Sequence, residues 1–289
     1  MYSPYHRSQS HIHICGVPIA NVSRGEAISI LKPFLEFSNN NPKTVFFVNA
    51  RTINLIFSNT EYKNLLKSAT ILLPDGSGIL LAGVVKSLHF KNNLNGTDFI
   101  PAFLKATTNG ERKYFFLGAR PKTIAAASAA AVNMFPGWNL VGYHHGYLDH
   151  AQSKLVIRKI NATGSNLLLI GMGNPVQEKW ICRYRDDLNV PLCIAVGGLF
   201  SFWAGNRIRA PLLFRRFGLE WFWILLTEHH KWRRYTIDIW SYLLSFYRFD
   251  LVNMQRNRTS DIFEISTYRN GDSLSQYNPN LMDVFKRFL

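Results

Sequence analysis

The sequence has 289 residues, 47% of them hydrophobic and 18% charged, which supplies a large core and excludes a disordered chain. Its formal net charge of +15 favours phosphate-bearing partners: nucleic acid, an anionic membrane, or a nucleotide together with a lipid diphosphate. The three cysteines include no CxxC pair, so neither a disulfide framework nor a structural zinc site is indicated, and a reducing cytosol is the expected compartment.

The sequence shows no targeting or spanning segment. Residues 1–14 lack the apolar centre of a signal peptide, and no uncharged apolar run reaches the roughly 18 residues of a spanning helix. We therefore expect a cytoplasmic protein that can still lie on a membrane surface.

From about residue 44, short β-branched or aromatic runs alternate with longer helical stretches, which predicts an α/β fold with a mostly parallel sheet. The predicted strands, in chain order, are Thr44–Ala50, Thr70–Leu73, Lys113–Leu117, Asn139–Gly142, Asn166–Ile170 and Leu192–Val196. A helix is predicted from Pro121, which suits a first helical turn, to Phe135, because Pro136-Gly137 follows.

Three of these strands run directly into glycine, at Gly118, at Gly171 and Gly173, and at Gly197-Gly198. In open α/β sheets, ligands bind in the crevice beyond the carboxyl ends of the strands. A tight turn alone would also explain any single one of these glycines. Three such turns together favour a ligand site.

Asp75 is the most informative carboxylate. It is the only charged residue in the sixteen-residue stretch 70–85, and Pro74, Gly76 and Gly78 place it on a sharp turn that leaves a strand. An apolar setting raises the pKa of a carboxyl group and makes it a better general base. The same position would also suit an aspartate that caps a helix.

The segment Gly171–Lys179 follows a strand and opens a helix at Pro175, so a phosphate would suit its amides. Val176 occupies the third glycine position of GxGxxG, which argues against a dinucleotide fingerprint. Glu178 lies in the first helical turn, where it would also complement the helix dipole.

Polar residues also mark other points where the chain leaves regular structure. Asn49 ends a strand, and Thr97 and Asp98 follow Asn95-Gly96, so each could contact a ligand. For Thr97 or Asp98 the alternative is an N-cap of a helix that runs toward Lys105. His144-His145 with Asp149 matches no strong zinc spacing. The sequence contains no Asp-x-Asp, Gly-x-Ser-x-Gly or Walker motif, so no metal site is predicted.

The composition changes near residue 203. Five of the seven tryptophans lie within 203–240, and residues 206–258 hold ten Arg or Lys against four acidic residues. Apolar residues there recur at helical spacings, which predicts a helical appendage. Arg207 and Arg209 would bind a diphosphate through their guanidinium groups, or form a solvated basic loop.

Together these segments resemble the WecG/TagA/CpsF glycosyltransferases, classed as glycosyltransferase family 26, over about residues 44 to 235. The segments that carry the resemblance are Leu73–Gly76, Asn95–Asp98, Phe116–Gly118, Val141–Tyr143, Gly146-Tyr147, Gly171–Trp180, Val196–Gly198, Gly205–Pro211 and Gly218–Trp221.

The resemblance implies a Rossmann-like core and an inverting transfer that needs neither metal nor cofactor. The implied donor is a UDP-sugar of the glucose, N-acetylmannosamine or N-acetylmannosaminuronate type. The implied acceptor is an undecaprenyl-diphosphate-linked saccharide in cell-surface polysaccharide or exopolysaccharide biosynthesis. A C-terminal appendage would bring the enzyme to the inner face of the cytoplasmic membrane.

The resemblance also assigns site residues. Asp75 matches the proposed general base of the family. The residues predicted to bind the donor are Asn49, Thr97, Asp98, Gly118, Gly171, Gly173, Asn174, Gln177 and Glu178. Those predicted to meet the acceptor diphosphate or the membrane are Arg207, Arg209, Arg215, Arg216, Lys231, Arg233 and Arg234. The expected domains are an N-terminal segment 1–43, the glycosyltransferase core 44–205, a membrane-associating helical appendage 206–254 and a polar tail 255–289.

Four departures from the family pattern, at Phe47, Arg51, Asn93 and Val176, lie near the expected donor pocket and leave the donor sugar open. Two other functions also remain open: a nucleotide-dependent oxidoreductase, and a non-enzymatic basic protein that binds RNA or membrane. The preferred interpretation includes no nucleic-acid partner, and it leaves homo-oligomer formation open.

Overall fold

The computed structural model describes residues 10–36, 41–211, 214 and 220–227. The strands are β1 (His11–Ile14), β2 (Val17–Ala20), β3 (Lys43–Val48), β4 (Ile71–Pro74), β5 (Lys113–Gly118), β6 (Asn139–His144), β7 (Leu167–Gly171) and β8 (Leu192–Ala195). The α-helices are α1 (Arg24–Leu31), α2 (Ala50–Ser58), α3 (Thr60–Lys67), α4 (Ser77–Val85), α5 (Gly96–Ala106), α6 (Pro121–Met134), α7 (His150–Ala162), α8 (Val176–Tyr184), α9 (Leu199–Trp203) and α10 (Glu220–Thr227). Short 3-10 helices cover Lys32–Glu36 and Arg185–Asp187.

The six predicted strands form one parallel sheet in the order β4-β3-β8-β7-β5-β6. This confirms the α/β class, and each observed strand overlaps its predicted range. The predicted strand Thr44–Ala50 was too long, because Asn49 caps α2 and the helix begins at Ala50. The helix expected from Pro121 to Phe135 ends at Met134.

Residues of β3, β5, β7 and β8 alternate between two hydrophobic cores, as the period of two in a strand requires. In β3, Phe46 and Val48 pack on one face, whereas Val45 and Phe47 pack on the other. The first face is covered by α2, α3, α4, α7 and α8. The second is covered by α1, α5, α6 and α9. Both faces of the sheet are therefore buried, which is typical of parallel sheets.

The N-terminal segment, for which the sequence predicted no element, contains a β-hairpin. Strands β1 and β2 pair antiparallel around Cys15 and Gly16, whose φ angles of 51° and 75° suit a tight two-residue hairpin turn. Ile12, Ile14 and Ile19 are almost fully buried in the first core. Residues before the predicted core boundary thus contribute to the same hydrophobic core.

Two alternatives for helix capping prove wrong. The N-cap of α4 is Gly76, which makes no side-chain capping bond, so Asp75 does not cap a helix. The N-cap of α5 is Asn95, whose side chain accepts a hydrogen bond from Asp98 N, so neither Thr97 nor Asp98 is the cap. None of the three side chains of Asp75, Thr97 and Asp98 caps a helix.

Most of the predicted C-terminal appendage lies outside the described residues. The predictions that fall there concern Arg215, Arg216, Lys231, Arg233, Arg234 and the polar tail 255–289. Among the described helices, none combines the length and apolar character that a bilayer crossing needs.

Candidate active site

The backbone of Asp75 is held at the carboxyl end of β4. Its N–H donates to the Val48 carbonyl of the neighbouring strand β3 at 2.8 Å. The next amide, Gly76 N–H, donates to Asn93 Oδ1 at 2.8 Å. Gly76 has a φ of 91°, which favours glycine. This turn places Asp75 at the end of the sheet where ligands of α/β proteins bind.

Asn49 and Asp75 are brought together because β3 and β4 are neighbours. Asn49 Oδ1 accepts hydrogen bonds from Thr52 N at 3.1 Å and from Thr52 Oγ1 at 3.2 Å. The amide oxygen is thereby turned toward α2, so the amide nitrogen faces the opposite way. Asn49 Nδ2 donates to Asp75 Oδ2 at 3.0 Å. The predicted donor-binding asparagine thus orients the predicted base.

The pKa of Asp75 is raised above its ordinary value. The largest cause is desolvation by burial, and the nearby charge of Glu220 adds to it. The hydrogen bond from Asn49 and the positive charge of Arg209 act in the opposite direction. A carboxylate with a raised pKa is a stronger base for a substrate hydroxyl.

Asp98 and Arg209, which were predicted to contact opposite substrates, bind each other. Arg209 Nη1 donates to Asp98 Oδ1 at 2.7 Å, and Nη2 donates to Asp98 Oδ2 at 2.6 Å, a bidentate pair. Arg209 Nη2 also lies 3.5 Å from Glu220 Oε1 and 3.4 Å from Asn95 Oδ1. The Thr97 hydroxyl donates to Asn95 Oδ1 at 2.9 Å. Arg209 therefore connects the start of α5 to α10.

Glycines stand at the carboxyl ends of β5 and β7. The chain leaves β5 toward one face of the sheet through α6 and leaves β7 toward the other face through α8, so the two connections diverge at this point. A Cβ added to Gly118 would lie 2.3 Å from the Gly171 carbonyl oxygen, and a Cβ on Gly146 would lie 2.9 Å from Gly118 Cα. Only glycine permits this approach of the two strand ends.

Gln177 ties the turns after β7 and β8 together. Its Oε1 accepts hydrogen bonds from Gly173 N at 3.2 Å and from Gly197 N at 2.9 Å. Its side chain is buried, and so is that of Glu178. Asn174 Nδ2 donates to Glu178 Oε1 at 2.8 Å. These four predicted donor-site residues thus form one network behind the turns, rather than separate groups around an open pocket.

Arg207 reaches the end of β8. Its guanidinium lies 5.2 Å from the centre of the Phe202 ring, and its Nη1 would be 3.0 Å from a Cβ on Gly198. A phosphate at this end of the sheet would therefore find a guanidinium close to the strand-end turns.

His144 and Asp149, which were considered as metal ligands together with His145, make other contacts. Asp149 caps α7 by accepting a hydrogen bond from Gln152 N at 2.7 Å, and His144 Nδ1 lies 2.9 Å from the His145 carbonyl oxygen. Within the part of the chain that the structure describes, no three His, Cys, Asp or Glu side chains form a group suited to a metal ion.

Three site residues were missed by the sequence analysis as functional groups. Asn93 holds the Asp75 turn and Glu220 lies close enough to affect the Asp75 pKa. The Tyr62 hydroxyl accepts a hydrogen bond from Asn174 at 3.3 Å. The departure of Asn93 from the family pattern could have marked it as a site residue. No local sequence feature distinguishes Tyr62 from an ordinary core tyrosine.

The model of the glycosyl transferase WecG/TagA/CpsF family matches residues 12–256. The chain belongs to this family. The match extends beyond both ends of the resemblance noted over residues 44 to 235 and includes the N-terminal hairpin. The protein is thus a glycosyltransferase, in place of the oxidoreductase and the non-enzymatic binder that the sequence left open.

Two relatives within the family carry the same name, N-acetylglucosaminyldiphosphoundecaprenol N-acetyl-beta-D-mannosaminyltransferase. The protein from Staphylococcus aureus (strain NCTC 8325 / PS 47) is 27% identical over 225 residues, which cover 77% of this chain and 86% of the relative. The protein from Bacillus spizizenii (strain ATCC 23059 / NRRL B-14472 / W23) is 29% identical over 210 residues, which cover 73% and 80% respectively.

Proposed function

We propose that this glycosyltransferase moves a sugar from a UDP-sugar to an undecaprenyl-diphosphate-linked saccharide by a single inverting displacement. The observation that carries the proposal is the pairing of Asn49 with Asp75 at the carboxyl ends of two neighbouring strands. This pairing gives an oriented carboxylate with a raised pKa at the same end of the sheet as the glycine turns after β7 and β8. The relatives' names supply the substrate class.

In the proposed step, Asp75 takes the proton of an acceptor hydroxyl while that oxygen attacks the anomeric carbon of the donor. The bond from the anomeric carbon to the diphosphate breaks, and UDP leaves with the bonding electron pair. Asn49 engages Asp75 Oδ2, so we assign the proton to Oδ1. One displacement on one carbon inverts its configuration.

The negative charge that develops on the diphosphate needs a positive partner in the transition state. Arg207 lies at the end of β8 and can serve this role. The start of α8 also directs backbone amides toward the end of the sheet, as helix N-termini that bind phosphate do. Under this proposal these groups act without a divalent cation.

N-acetylmannosamine is the first donor sugar to test, because both relatives are named as N-acetyl-beta-D-mannosaminyltransferases. N-acetylglucosaminyl-diphosphoundecaprenol is the matching acceptor. UDP-glucose and UDP-N-acetylmannosaminuronate belong in the same panel, since Phe47 and Arg51 depart from the family pattern near Asn49.

The decisive assay measures UDP release from each UDP-sugar, with and without a lipid-diphosphate acceptor, in EDTA. We expect acceptor-dependent release from one donor, and loss of that release in Asp75→Asn. The matched control is Asp186→Asn, because the Asp186 side chain is 90% exposed and lies on a surface 3-10 helix. Equal turnover of wild type and Asp75→Asn would remove Asp75 from the mechanism, and a requirement for added metal would contradict the metal-free step.

We further propose that the protein works at the inner face of the cytoplasmic membrane through residues 206–254. The net charge of +15 supports attraction to anionic lipid, and the described part of this segment exposes Ile208 and Leu226. The full chain should float with phosphatidylglycerol vesicles and far less with phosphatidylcholine vesicles.

A charge variant tests whether the appendage carries that binding. Replacing its basic residues by Gln should reduce flotation more than replacing five exposed basic residues of the core. The appendage residues to replace are Arg215, Arg216, Lys231, Arg233 and Arg234. The matched core residues are Lys113, Lys122, Lys154, Arg158 and Lys159. Equal losses in the two variants would show that total charge, and not the appendage, determines binding.

A further inference from the structure

A fully buried carboxyl group lies behind the turns that follow β7 and β8. Glu178, in the first turn of α8, is 0% exposed. Its Oε1 accepts hydrogen bonds from Gln177 Nε2 at 2.7 Å and from Asn174 Nδ2 at 2.8 Å. Its Oε2 is buried without a hydrogen bond of ordinary geometry. Within the described residues no Lys, Arg or His pairs with it, so its role is not that of a buried ion pair.

The hydrogen bond between Glu178 and Gln177 determines which way the Gln177 amide faces. A glutamine amide presents a donor at one end and an acceptor at the other. Because Nε2 donates to Glu178, Oε1 is turned to the opposite side, where it meets the amides of Gly173 and Gly197. A flipped amide would place an N–H₂ group against two N–H donors and lose both bonds.

The two glycine amides belong to turns on neighbouring strands. Gly173 follows β7 and Gly197 follows β8, with φ angles of 82° and 55°. Positive φ angles at both positions mean that neither turn continues its strand or helix, so a cross-link between the turns helps to set their spacing. Gln177 provides that cross-link and is itself oriented by Glu178.

Burial also raises the pKa of Glu178 to about 7. The titratable groups that face it are the Tyr62 hydroxyl from α3 and the Cys182 thiol on its own helix. Neither supplies a positive charge to hold the carboxylate. A proton on Oε2 would neutralise the group and leave Oε1 free to accept both amide bonds, so the network survives protonation.

We propose that Glu178 is a positioning residue for the donor diphosphate: it orients Gln177, and Gln177 holds the Gly173 and Gly197 turns at the spacing that the diphosphate requires. Glu178 itself is buried and touches no substrate in this role. The inference rests on the proposed function, because that function places a diphosphate at these turns.

A side chain that keeps the acceptor oxygen should preserve this arrangement, and one that lacks it should not. Glu178→Gln retains an oxygen for the two amides. Glu178→Leu retains similar bulk but has no acceptor, so the Gln177 amide is free to rotate. We expect Glu178→Leu to weaken UDP binding and raise the donor KM by roughly tenfold, the effect of about one hydrogen bond, with a smaller change in kcat. Glu178→Gln should stay within about threefold of the wild type on the same scale.

Gln177→Met provides a second route, because it removes the cross-link directly. It should weaken UDP binding as Glu178→Leu does. The double variant should be no weaker than either single variant, since both changes break the same connection. Full additivity would overturn the proposal, and this arm remains informative if Glu178→Leu does not fold.

The experiment is UDP titration calorimetry on the full chain in EDTA, with donor KM and kcat for each variant. Lys179→Met is the control, because it removes a surface ion pair with Glu61 from the same helix. Unchanged UDP affinity in Glu178→Leu, or equal losses in Glu178→Leu and Glu178→Gln, would overturn the positioning role.

Hydrogen exchange at the Gly173 and Gly197 amides separates this inference from the proposed function. Faster exchange at both amides in Glu178→Leu is expected whether or not UDP binds. Faster exchange in a protein that binds no UDP would refute the proposed function while supporting the link from Glu178 to the turns. Unchanged exchange would refute the link itself.

Discussion

The buried carboxyl of Glu178 should make the stability of the fold depend on pH with an identifiable sign. Burial raises its pKa from 4.5 to about 7, so the folded state keeps a proton that the unfolded chain releases. The stabilising effect is therefore complete below about pH 4.5 and is lost as the pH rises through about 7. Each pKa unit corresponds to about 1.4 kcal/mol, which gives a total loss of about 3 kcal/mol.

Glu178→Gln removes this titration and keeps the acceptor oxygen. The free energy of unfolding of the variant relative to the wild type should therefore increase by about 2.5 kcal/mol between pH 5 and pH 8, most of it between pH 5 and pH 7. Urea unfolding followed by tryptophan fluorescence at each pH measures the difference, with the slopes compared to confirm that the same surface is exposed.

Glu111→Gln makes the same chemical change on an exposed side chain and serves as the control. Its unfolding free energy should run parallel to that of the wild type across the pH range. Parallel curves for Glu178→Gln and the wild type would refute the reasoning, because they would mean that Glu178 titrates alike in the folded and unfolded chain. A wild type that gains stability relative to Glu178→Gln with rising pH would refute its sign.

Three further predictions concern the site and its support. Because the pKa of Asp75 is raised, kcat/KM should decrease on acidification with a midpoint above the ordinary pKa range of aspartate. A kcat/KM that does not change with pH would contradict the role of Asp75 as the base. Asp75→Asn should lower kcat on the order of 10²- to 10⁴-fold. Gly118→Ala should destabilise the fold by on the order of 3 kcal/mol or more, since its Cβ would lie 2.3 Å from the Gly171 carbonyl oxygen. The control Gly25→Ala in α1 should be neutral or stabilising by about 0.5 kcal/mol. If urea unfolding gave both variants the same change in stability, the close approach at Gly118 would be contradicted. A double-mutant cycle of Asp98→Asn and Arg209→Gln should give a coupling energy of about 1 kcal/mol for this partly exposed pair. A coupling energy of zero would mean that the pair does not hold α5 to the C-terminal segment.

The sequence alone predicted the six strands of the parallel sheet and identified Asp75 as the most prominent carboxylate. Runs such as residues 44–48 and 113–117 carry enough β-branched and aromatic residues to predict strands, and all six predicted strands occur in the sheet. Asp75 was identified because no other charge lies within 70–85, and its raised pKa agrees with that setting. These are local properties, so a single stretch of chain contains the whole signal.

The hairpin β1–β2 shows where local signals are too weak. Each of its strands has four residues, and the turn at Cys15-Gly16 lacks the asparagine or aspartate that usually marks such a turn. Its identity as a structural element depends on Ile12, Ile14 and Ile19 reaching a core that is built by distant parts of the chain.

Only the tertiary structure decided which polar groups meet. Asn49 orients Asp75 because β3 and β4 are neighbours in the sheet, and Asp98 binds Arg209 across 111 residues of sequence. Gln177, which the family resemblance predicted as a donor contact, accepts hydrogen bonds from the amides of two turns. Strand order and the side-chain contacts across it depend on how the whole chain buries both faces of the sheet. That burial is a property of the complete core, and no local pattern encodes it.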